Sequence, residues 1–192
     1  MLDVPVHGQI FYPREVQELT LSTLTVFAVL AGEYFYPFYS PNIIQFLRLL
    51  TLAFVIYVPH ELAHKFTAQY YGYPARFSIV WEFFILTLIS AIPVIPIKFI
   101  APGTVYIYTT SFGIDRRTNG IISAAGPTTN ILLGLVGLIA GGPFAKTVMN
   151  FSGWIAFFNL LPIGPLDGRK VLQWNIAVWA TLLFIALIMV LI

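Results

Sequence analysis

The segment H-E-L-A-H at residues 60–64 carries the residue types and the spacing of a metal site. On a helix, side chains four residues apart lie about 40° apart around the axis, so the imidazoles of His60 and His64 face one point. Glu61 lies beside them, where its carboxylate could accept a proton from a metal-bound water. The pattern therefore predicts a zinc site with His60 and His64 as ligands and Glu61 as the general base.

A catalytic zinc ion needs a third protein ligand and one open position. The chain has three histidines, none of them following the motif, and no cysteine, so a carboxylate is expected. Asp167 is favoured because two prolines just before it break a helix and can aim a carboxylate from an irregular segment. Glu82 and the more remote Glu33 stay open as alternatives on the residues alone.

The composition places this chemistry in a membrane. Hydrophobic residues make up 58% of the 192 residues and charged residues only 9%, against about 25% charged in a soluble domain. Such a chain cannot cover a water-facing surface, so the lipid bilayer is an expected partner. The net charge of +2 is too weak and too scattered to indicate nucleic acid binding.

Hydropathy predicts an all-α membrane protein with about six transmembrane helices in one domain, residues 1–192, with a catalytic core at about 43–175. A bilayer crossing needs about 20 mostly apolar residues, and six stretches approach that length. They are residues 16–36, 43–71, 77–96, 121–141, 146–161 and 171–192. A multi-pass protein of the cell membrane is the expected localisation.

Residues 97–117 favour a short β-hairpin or a re-entrant loop over a plain loop, because alternating β-formers lie between turn signals. A transmembrane substrate must unwind before its peptide bonds can be attacked, and unwound backbone in lipid leaves unpaired polar groups. A strand could pair with it. Gly103, Thr104, Val105 and Tyr106 are therefore the predicted substrate-binding residues.

Three motifs together resemble the site-2 protease family of intramembrane zinc metalloproteases. They are H-E-L-A-H, A-G-P-T-T-N at 125–130 and N-L-L-P-I-G-P-L-D-G at 159–168. The resemblance covers roughly residues 50–175, and it is closest to compact archaeal and bacterial members without an inserted PDZ domain. Ala63 departs from the glycine that many members carry, and adds only a methyl group to the helix.

The resemblance implies that Asp167 is the third zinc ligand, that Asn159 helps to stabilise the reacting carbonyl, and that the substrates are transmembrane proteins. On the residues alone, Asn159 could donate to an oxyanion or cap a kinked helix. Asn130 is interpreted as forming a hydrogen bond between helices rather than as a catalytic group.

The expected function is therefore intramembrane proteolysis by a metalloendopeptidase. A metal transporter is the main rival, but it would need several metal-binding groups along a path, and three histidines without cysteine offer one site. An inactive member that only binds substrates is the second rival, and it has no support because Glu61 and the proposed ligands are all present. Natural substrate, membrane orientation and oligomeric state stay open.

Overall fold

The computed structural model describes residues 10–35, 42–109 and 113–192. The chain packs as two compact units, one formed by Met1–Val58 with Ala75–Tyr106 and the other by Pro59–Pro74 with Ile107–Ile192. The boundary falls inside a long helix, at Pro59, which lacks the N–H that would continue the helical hydrogen bonds.

Seven helices and two strands occur in the described residues. Their bounds are α1 Glu15–Phe35, α2 Ile43–Tyr70, β1 Ala75–Ile79, α3 Trp81–Ser90, β2 Gly103–Ile107, α4 Arg116–Ala140, α5 Pro143–Asn159, α6 Asp167–Trp174 and α7 Ile176–Leu191.

The first unit contains a two-stranded sheet, and α1 packs against β1 and α3. The backbone N–H of Val80 donates to the Pro102 carbonyl at 3.2 Å, and that of Tyr108 donates to the Pro74 carbonyl at 2.9 Å. These two bonds fix an antiparallel register. Since bonded pairs alternate along such a ladder, the main-chain groups of Thr104 face β1, whereas those of the residues on either side of it face away.

The second unit is a helical bundle. Helix α4 packs against α5 and α6, and α5 packs against α7. Its core is a cluster of buried side chains from α4, α5, α7 and the turn after α5. They are Ile131, Met149, Ala156, Leu160, Ala186 and Met189. This core includes Leu160, directly after α5, and so fixes the end of α5 from which the chain turns toward α6 and the functional site.

The prediction of about six transmembrane helices is wrong. In the described part of the chain, two helices, α2 and α4, are long and apolar enough to cross a membrane. The stretch at 77–96 begins as a strand and continues as the ten-residue α3, only about 15 Å long. Helix α5 has 17 residues and α7 has 16, fewer than the about 20 that a crossing needs, and α7 begins five residues after the start of its apolar stretch. Hydropathy detects apolar runs but not the turns that divide them.

The predicted re-entrant hairpin is also corrected. A strand does form at Gly103–Ile107, but its partner is β1, which precedes it by more than twenty residues, and not a neighbouring strand within 97–117. The alternating pattern predicts a strand without its partner, because pairing is decided by the tertiary packing. Residues 110–112 of this segment lie outside the described residues.

Helix α4 begins at Arg116, several residues before the apolar stretch that predicted it. Asp115 is its N-cap, and its side chain accepts hydrogen bonds from the backbone N–H groups of Arg117 and Thr118, each at 3.0 Å. The helix therefore starts with polar residues that hydropathy assigns to the preceding loop.

Candidate metal centre

The imidazoles of His60 and His64 meet one turn apart on α2. Their Nε2 atoms lie 3.1 Å apart, and both side chains are buried. This is the arrangement that the i, i+4 spacing predicts, because both rings project from the same face of the helix. Two imidazole nitrogens therefore converge on one point inside the second unit.

Helix α4 holds both rings in the orientation that ligands need. The His64 Nδ1–H donates to the Ile122 carbonyl at 2.7 Å, and the His60 Nδ1–H donates to the Asn130 Oδ1. A carbonyl oxygen can only accept, so the Nδ1 of His64 carries the proton and its Nε2 offers a lone pair. Groups that fix the ring and its tautomer in this way are typical of histidine metal sites.

Asp167 brings a carboxylate to the same point from the beginning of α6. Its Oδ2 lies 3.1 Å from the His64 Nε2 and 3.6 Å from the His60 Nε2. The potential ligand atoms of the three residues all lie within 4.8 Å of one another. We refer to His60, His64 and Asp167 as the metal group.

The turn between α5 and α6 is clamped so that it can present Asp167. The indole Nε1–H of Trp179 on α7 donates to the Leu160 carbonyl at 2.8 Å. Gly168 packs on that same carbonyl, because a β-carbon built at Gly168 would lie 2.0 Å from the Leu160 oxygen. The beginning of α6 can therefore approach the end of α5 only where residue 168 has no side chain.

Gly126 on α4 faces the metal group directly. A β-carbon built there would lie 2.3 Å from the His64 Nε2 and 2.7 Å from the His60 Nε2. Even the smallest side chain would occupy the space beside the two nitrogen lone pairs. The glycine in the A-G-P-T-T-N motif therefore keeps clear the point on which the ligands converge.

The metal group fits zinc. Two imidazole nitrogens and one carboxylate oxygen are three protein ligands of the types that catalytic zinc sites use, which leaves a fourth position open. Both imidazole Nδ1 atoms have acceptors, so the two Nε2 atoms are the free ligand atoms. Glu61 is buried beside the group and interacts electrostatically with His60 and Asp167 and with the ammonium group of Lys170 on α6.

Other predicted residues do not belong to the metal group. Glu82 is exposed on α3, and the side chain of Glu33 lies outside the described part of the chain. Asn159 is the last residue of α5, where its Nδ2 donates to the Ile155 carbonyl at 3.0 Å.

The predicted substrate-binding residues lie in the first unit and form most of β2. In this strand Thr104 and Tyr106 are exposed, whereas Gly103 and Val105 are half-buried. Their assignment as substrate-binding residues stays a prediction, as does the role of Asn159.

Sequence reasoning missed Gly126 on α4. It predicted that Asn130 forms a hydrogen bond between helices, which is confirmed, but it did not identify His60 as the partner. Asn130 is fully buried and accepts a hydrogen bond from a proposed ligand, and Gly126 provides the space beside both rings. The four-residue spacing from Gly126 to Asn130 places them on one helix face, which is a signal that the sequence carries. That this face meets His60 and His64 becomes visible only in the folded structure.

Two curated proteins are similar to this chain. The protein named "Putative zinc metalloprotease MJ0611" of Methanocaldococcus jannaschii is 36% identical over 179 residues, which cover 88% of this chain and 89% of that protein. The protein named "Putative zinc metalloprotease YwhC" of Bacillus subtilis is 26% identical over 157 residues, which cover 65% of this chain and 67% of that protein. No protein-family profile and no solved structure matches the chain.

Proposed function

Because this chain belongs to the zinc metalloprotease family of the Methanocaldococcus jannaschii protein, we propose that it is an intramembrane protease of the site-2 type. In this proposal it hydrolyses peptide bonds of transmembrane protein substrates. The observation that carries the proposal is the convergence of His60, His64 and Asp167, with Glu61 buried beside them. The H-E-x-x-H segment supplies two ligands and a base, and α6 supplies the third ligand.

The position of the metal group along the two long apolar helices supports a site inside the bilayer. His60 and Gly126 each lie ten residues from a helix end, at Tyr70 and at Arg116 respectively. At 1.5 Å per residue this is about 15 Å, half of a hydrocarbon core about 30 Å thick. The contacts of His60 with Asn130 and of His64 with Ile122 make the helices antiparallel, so these two ends point to the same side.

Large apolar side chains are exposed on both of these helices, which also supports a lipid environment. Phe54 on α2 is 56% exposed, and Val136 and Ile139 on α4 are 63% and 86% exposed. Exposed large apolar side chains of this kind are costly in water and favourable against lipid tails. We therefore propose that α2 and α4 cross the cell membrane.

The chemistry follows from the groups around the metal position. Zinc held by His60, His64 and Asp167 would supply a Lewis acid that polarises the scissile carbonyl and makes a water molecule more acidic. The Glu61 carboxylate accepts the proton of the attacking water. The same carboxyl group then donates it to the nitrogen of the leaving amine. Burial of Glu61 keeps bulk water away from these proton transfers.

Asn159 is proposed to stabilise the negative charge that develops on the substrate carbonyl oxygen. Its side-chain amide has two N–H groups, and the hydrogen bond to the Ile155 carbonyl uses one of them. The second N–H is available for a substrate. The bond to Ile155 also restrains the amide, so that the donor is already oriented before substrate binds.

Strand β2 is proposed to bind the substrate in an extended form. Its exposed edge offers the main-chain groups of Gly103 and Val105, which the register directs away from β1. An unwound segment that pairs there would satisfy its own backbone groups, as strand addition does in other recognition systems.

The decisive experiment compares wild type with Glu61→Gln. Both proteins are reconstituted in liposomes with a model transmembrane substrate, and peptide products and bound zinc are measured in each. We expect cleavage by wild type alone at equal zinc content, because Gln retains the shape of Glu but cannot accept the proton. Glu82→Gln is the matched control and should cleave like wild type.

Two results would contradict the proposal. Equal cleavage by wild type and Glu61→Gln would show that Glu61 is not the general base. Cleavage of an unfolded soluble protein such as casein, with no cleavage of the transmembrane substrate, would leave a zinc protease but reject the intramembrane assignment.

A further inference from the structure

The two carboxylates in the first turn of α1 bind the backbone of β1. The Glu15 Oε1 accepts from the backbone N–H of Phe77 at 2.8 Å, and the Glu18 Oε2 accepts from that of Ile79 at 3.0 Å. Glu15 is fully buried. Phe77 and Ile79 are the alternate residues of β1 whose main-chain groups point away from β2, so the carboxylates lie along the outer edge of the sheet.

Further contacts fix these carboxylates in place. The second oxygen of Glu15 accepts from the backbone N–H of Tyr12 at 2.9 Å, and that of Glu18 pairs with the Arg76 guanidinium at 2.9 Å. Arg14, directly before α1, has a φ of +65°, a left-handed conformation that is strained for a non-glycine residue. The chain therefore enters α1 through a strained residue directly before the turn that carries Glu15 and Glu18.

A carboxylate cap makes the edge of β1 unable to accept another strand. Strand addition needs a row of alternating free donors and acceptors, and ionised carboxylates are acceptors only. With the N–H groups of Phe77 and Ile79 already bound, an added strand would have to displace two charge-assisted hydrogen bonds. The edge of β2 has no such cap among the described residues, and the main-chain groups of Gly103 and Val105 face outward there.

We infer that Glu15 and Glu18 select the edge of the sheet at which an extended substrate segment is admitted, by closing β1 and leaving β2 open. This inference rests on the proposed function, since it takes the added strand to be an unwound substrate. Glu15 and Glu18 are positioning residues in this role, because they act on the sheet and not on the substrate. Because only the β2 edge is open, the substrate segment can pair with the sheet at one place only.

The absence of cysteine from the chain allows a direct test by disulfide cross-linking. Single cysteines replace Thr104 on β2 or Ser78 on β1 in the full-length protein in detergent. These residues lie opposite each other in the register, but Thr104 is exposed and Ser78 is half-buried. Each cross-linking rate is therefore divided by the rate at which the same cysteine reacts with a small disulfide reagent. The probe is a short Val-Thr repeat peptide with one central cysteine, and its control carries proline at alternate positions and cannot pair as a strand.

We expect Thr104→Cys to cross-link about tenfold faster than Ser78→Cys, and only with the peptide that lacks proline. Adding Glu18→Ala frees the Ile79 N–H and should raise the rate at Ser78→Cys by about tenfold. Hydrogen exchange at the Ile79 amide should accelerate in the same variant. The comparison of the two cysteines needs no change at Glu18, so it remains decisive if Glu18→Ala does not fold.

Three results would overturn the inference. The first is equal cross-linking at both edges with Glu18 intact. The second is an unchanged cross-linking rate at Ser78→Cys after Glu18→Ala has released the Ile79 amide. The third is the formation of Thr104→Cys dimers without peptide, which would show that a second copy of the chain binds the β2 edge. Zinc content and cleavage are measured on the cysteine-free protein. If the peptide cross-links selectively at the β2 edge but the protein cleaves no substrate, the proposed function is rejected and the role of Glu15 and Glu18 is not. If the protein cleaves substrate but the peptide cross-links equally at both edges, only the role of Glu15 and Glu18 is rejected.

Discussion

Gly126 and His64 approach each other so closely that a β-carbon on Gly126 would lie 2.3 Å from the His64 Nε2. The imidazole cannot rotate away freely, because its Nδ1–H is bound to the Ile122 carbonyl. Helix α4 therefore does more than cover the metal group. Its Gly126 determines how much room is left beside the Nε2 atoms of His60 and His64.

Gly126→Ala should lower zinc affinity by at least about tenfold, because the added methyl group must displace one imidazole from its hydrogen bond. Zinc retained after dialysis against a chelator series measures the effect. Gly134→Ala on the same helix is the matched control, since its β-carbon would meet mainly the mobile end of Met189. Normal zinc binding by Gly126→Ala would show that the ligands do not converge beside this glycine.

Asn130→Ala should weaken zinc binding by about 10–100-fold, the usual cost of removing a group that orients a histidine ligand. The buried His60 Nδ1–H would lose its acceptor, and the ring could adopt the other tautomer. The same chelator competition measures this change. Asn119→Ala, about three turns away on α4, should bind zinc like wild type, and an equal loss in both variants would point to a general effect on α4.

Trp179→Phe should destabilise the turn that carries Asp167. The variant keeps an aromatic ring but loses the N–H bond to the Leu160 carbonyl, a change worth about 1 kcal/mol. We expect a lower Tm and a severalfold faster release of zinc to a chelator. Trp154→Phe at an exposed position is the control. A lower Tm with unchanged zinc release would separate the stability of the turn from the placement of Asp167.

Val105→Pro should reduce cleavage of a transmembrane substrate by about tenfold or more, with zinc content unchanged. Proline at this position removes an N–H that faces the open edge of β2, whereas proline at Tyr106 would break the pairing with β1. Rates of product formation and zinc content are measured together. Thr109→Pro, beyond the end of β2, is the control and should cleave like wild type. Full activity of Val105→Pro would show that β2 does not bind the substrate.

Asp115 should give α4 a stability contribution that depends on pH. Hydrogen bonds from the Thr118 hydroxyl and from the backbone N–H groups of Thr118 and Arg117 lower the pKa of Asp115. A group whose pKa is lower in the folded state stabilises the fold above its unfolded pKa, and this contribution is lost as the pH falls through the folded pKa. At neutral pH we therefore expect Asp115→Ala to have a lower Tm than wild type.

The Tm difference between wild type and Asp115→Ala should shrink below about pH 4, where the carboxylate becomes protonated. Thermal unfolding of the metal-free proteins in detergent measures it and avoids the pH dependence of zinc binding. Asp115→Asn keeps a side-chain acceptor for the cap, so it should retain most of the stability at neutral pH. A constant difference between wild type and Asp115→Ala at all pH values would contradict this account.

The sequence predicts the parts of this protein that depend on local periodicity. His60 and His64 converge because one helical turn separates them, and any helix over 60–64 produces that arrangement. The long apolar helices α2 and α4 follow from composition in the same way, and the strand at Gly103–Ile107 follows from its alternating pattern. None of these predictions needs to know which elements pack together.

Only the tertiary structure decides which distant elements meet. Asp167 reaches the histidines from more than a hundred residues later, and Asn130, Gly126 and the carboxylates of α1 acquire their partners through packing. The number of membrane-length helices was overestimated because turns within apolar runs depend on these contacts as well. Spacing along a helix determines which side chains share a face, whereas the packing of the whole core determines what that face meets.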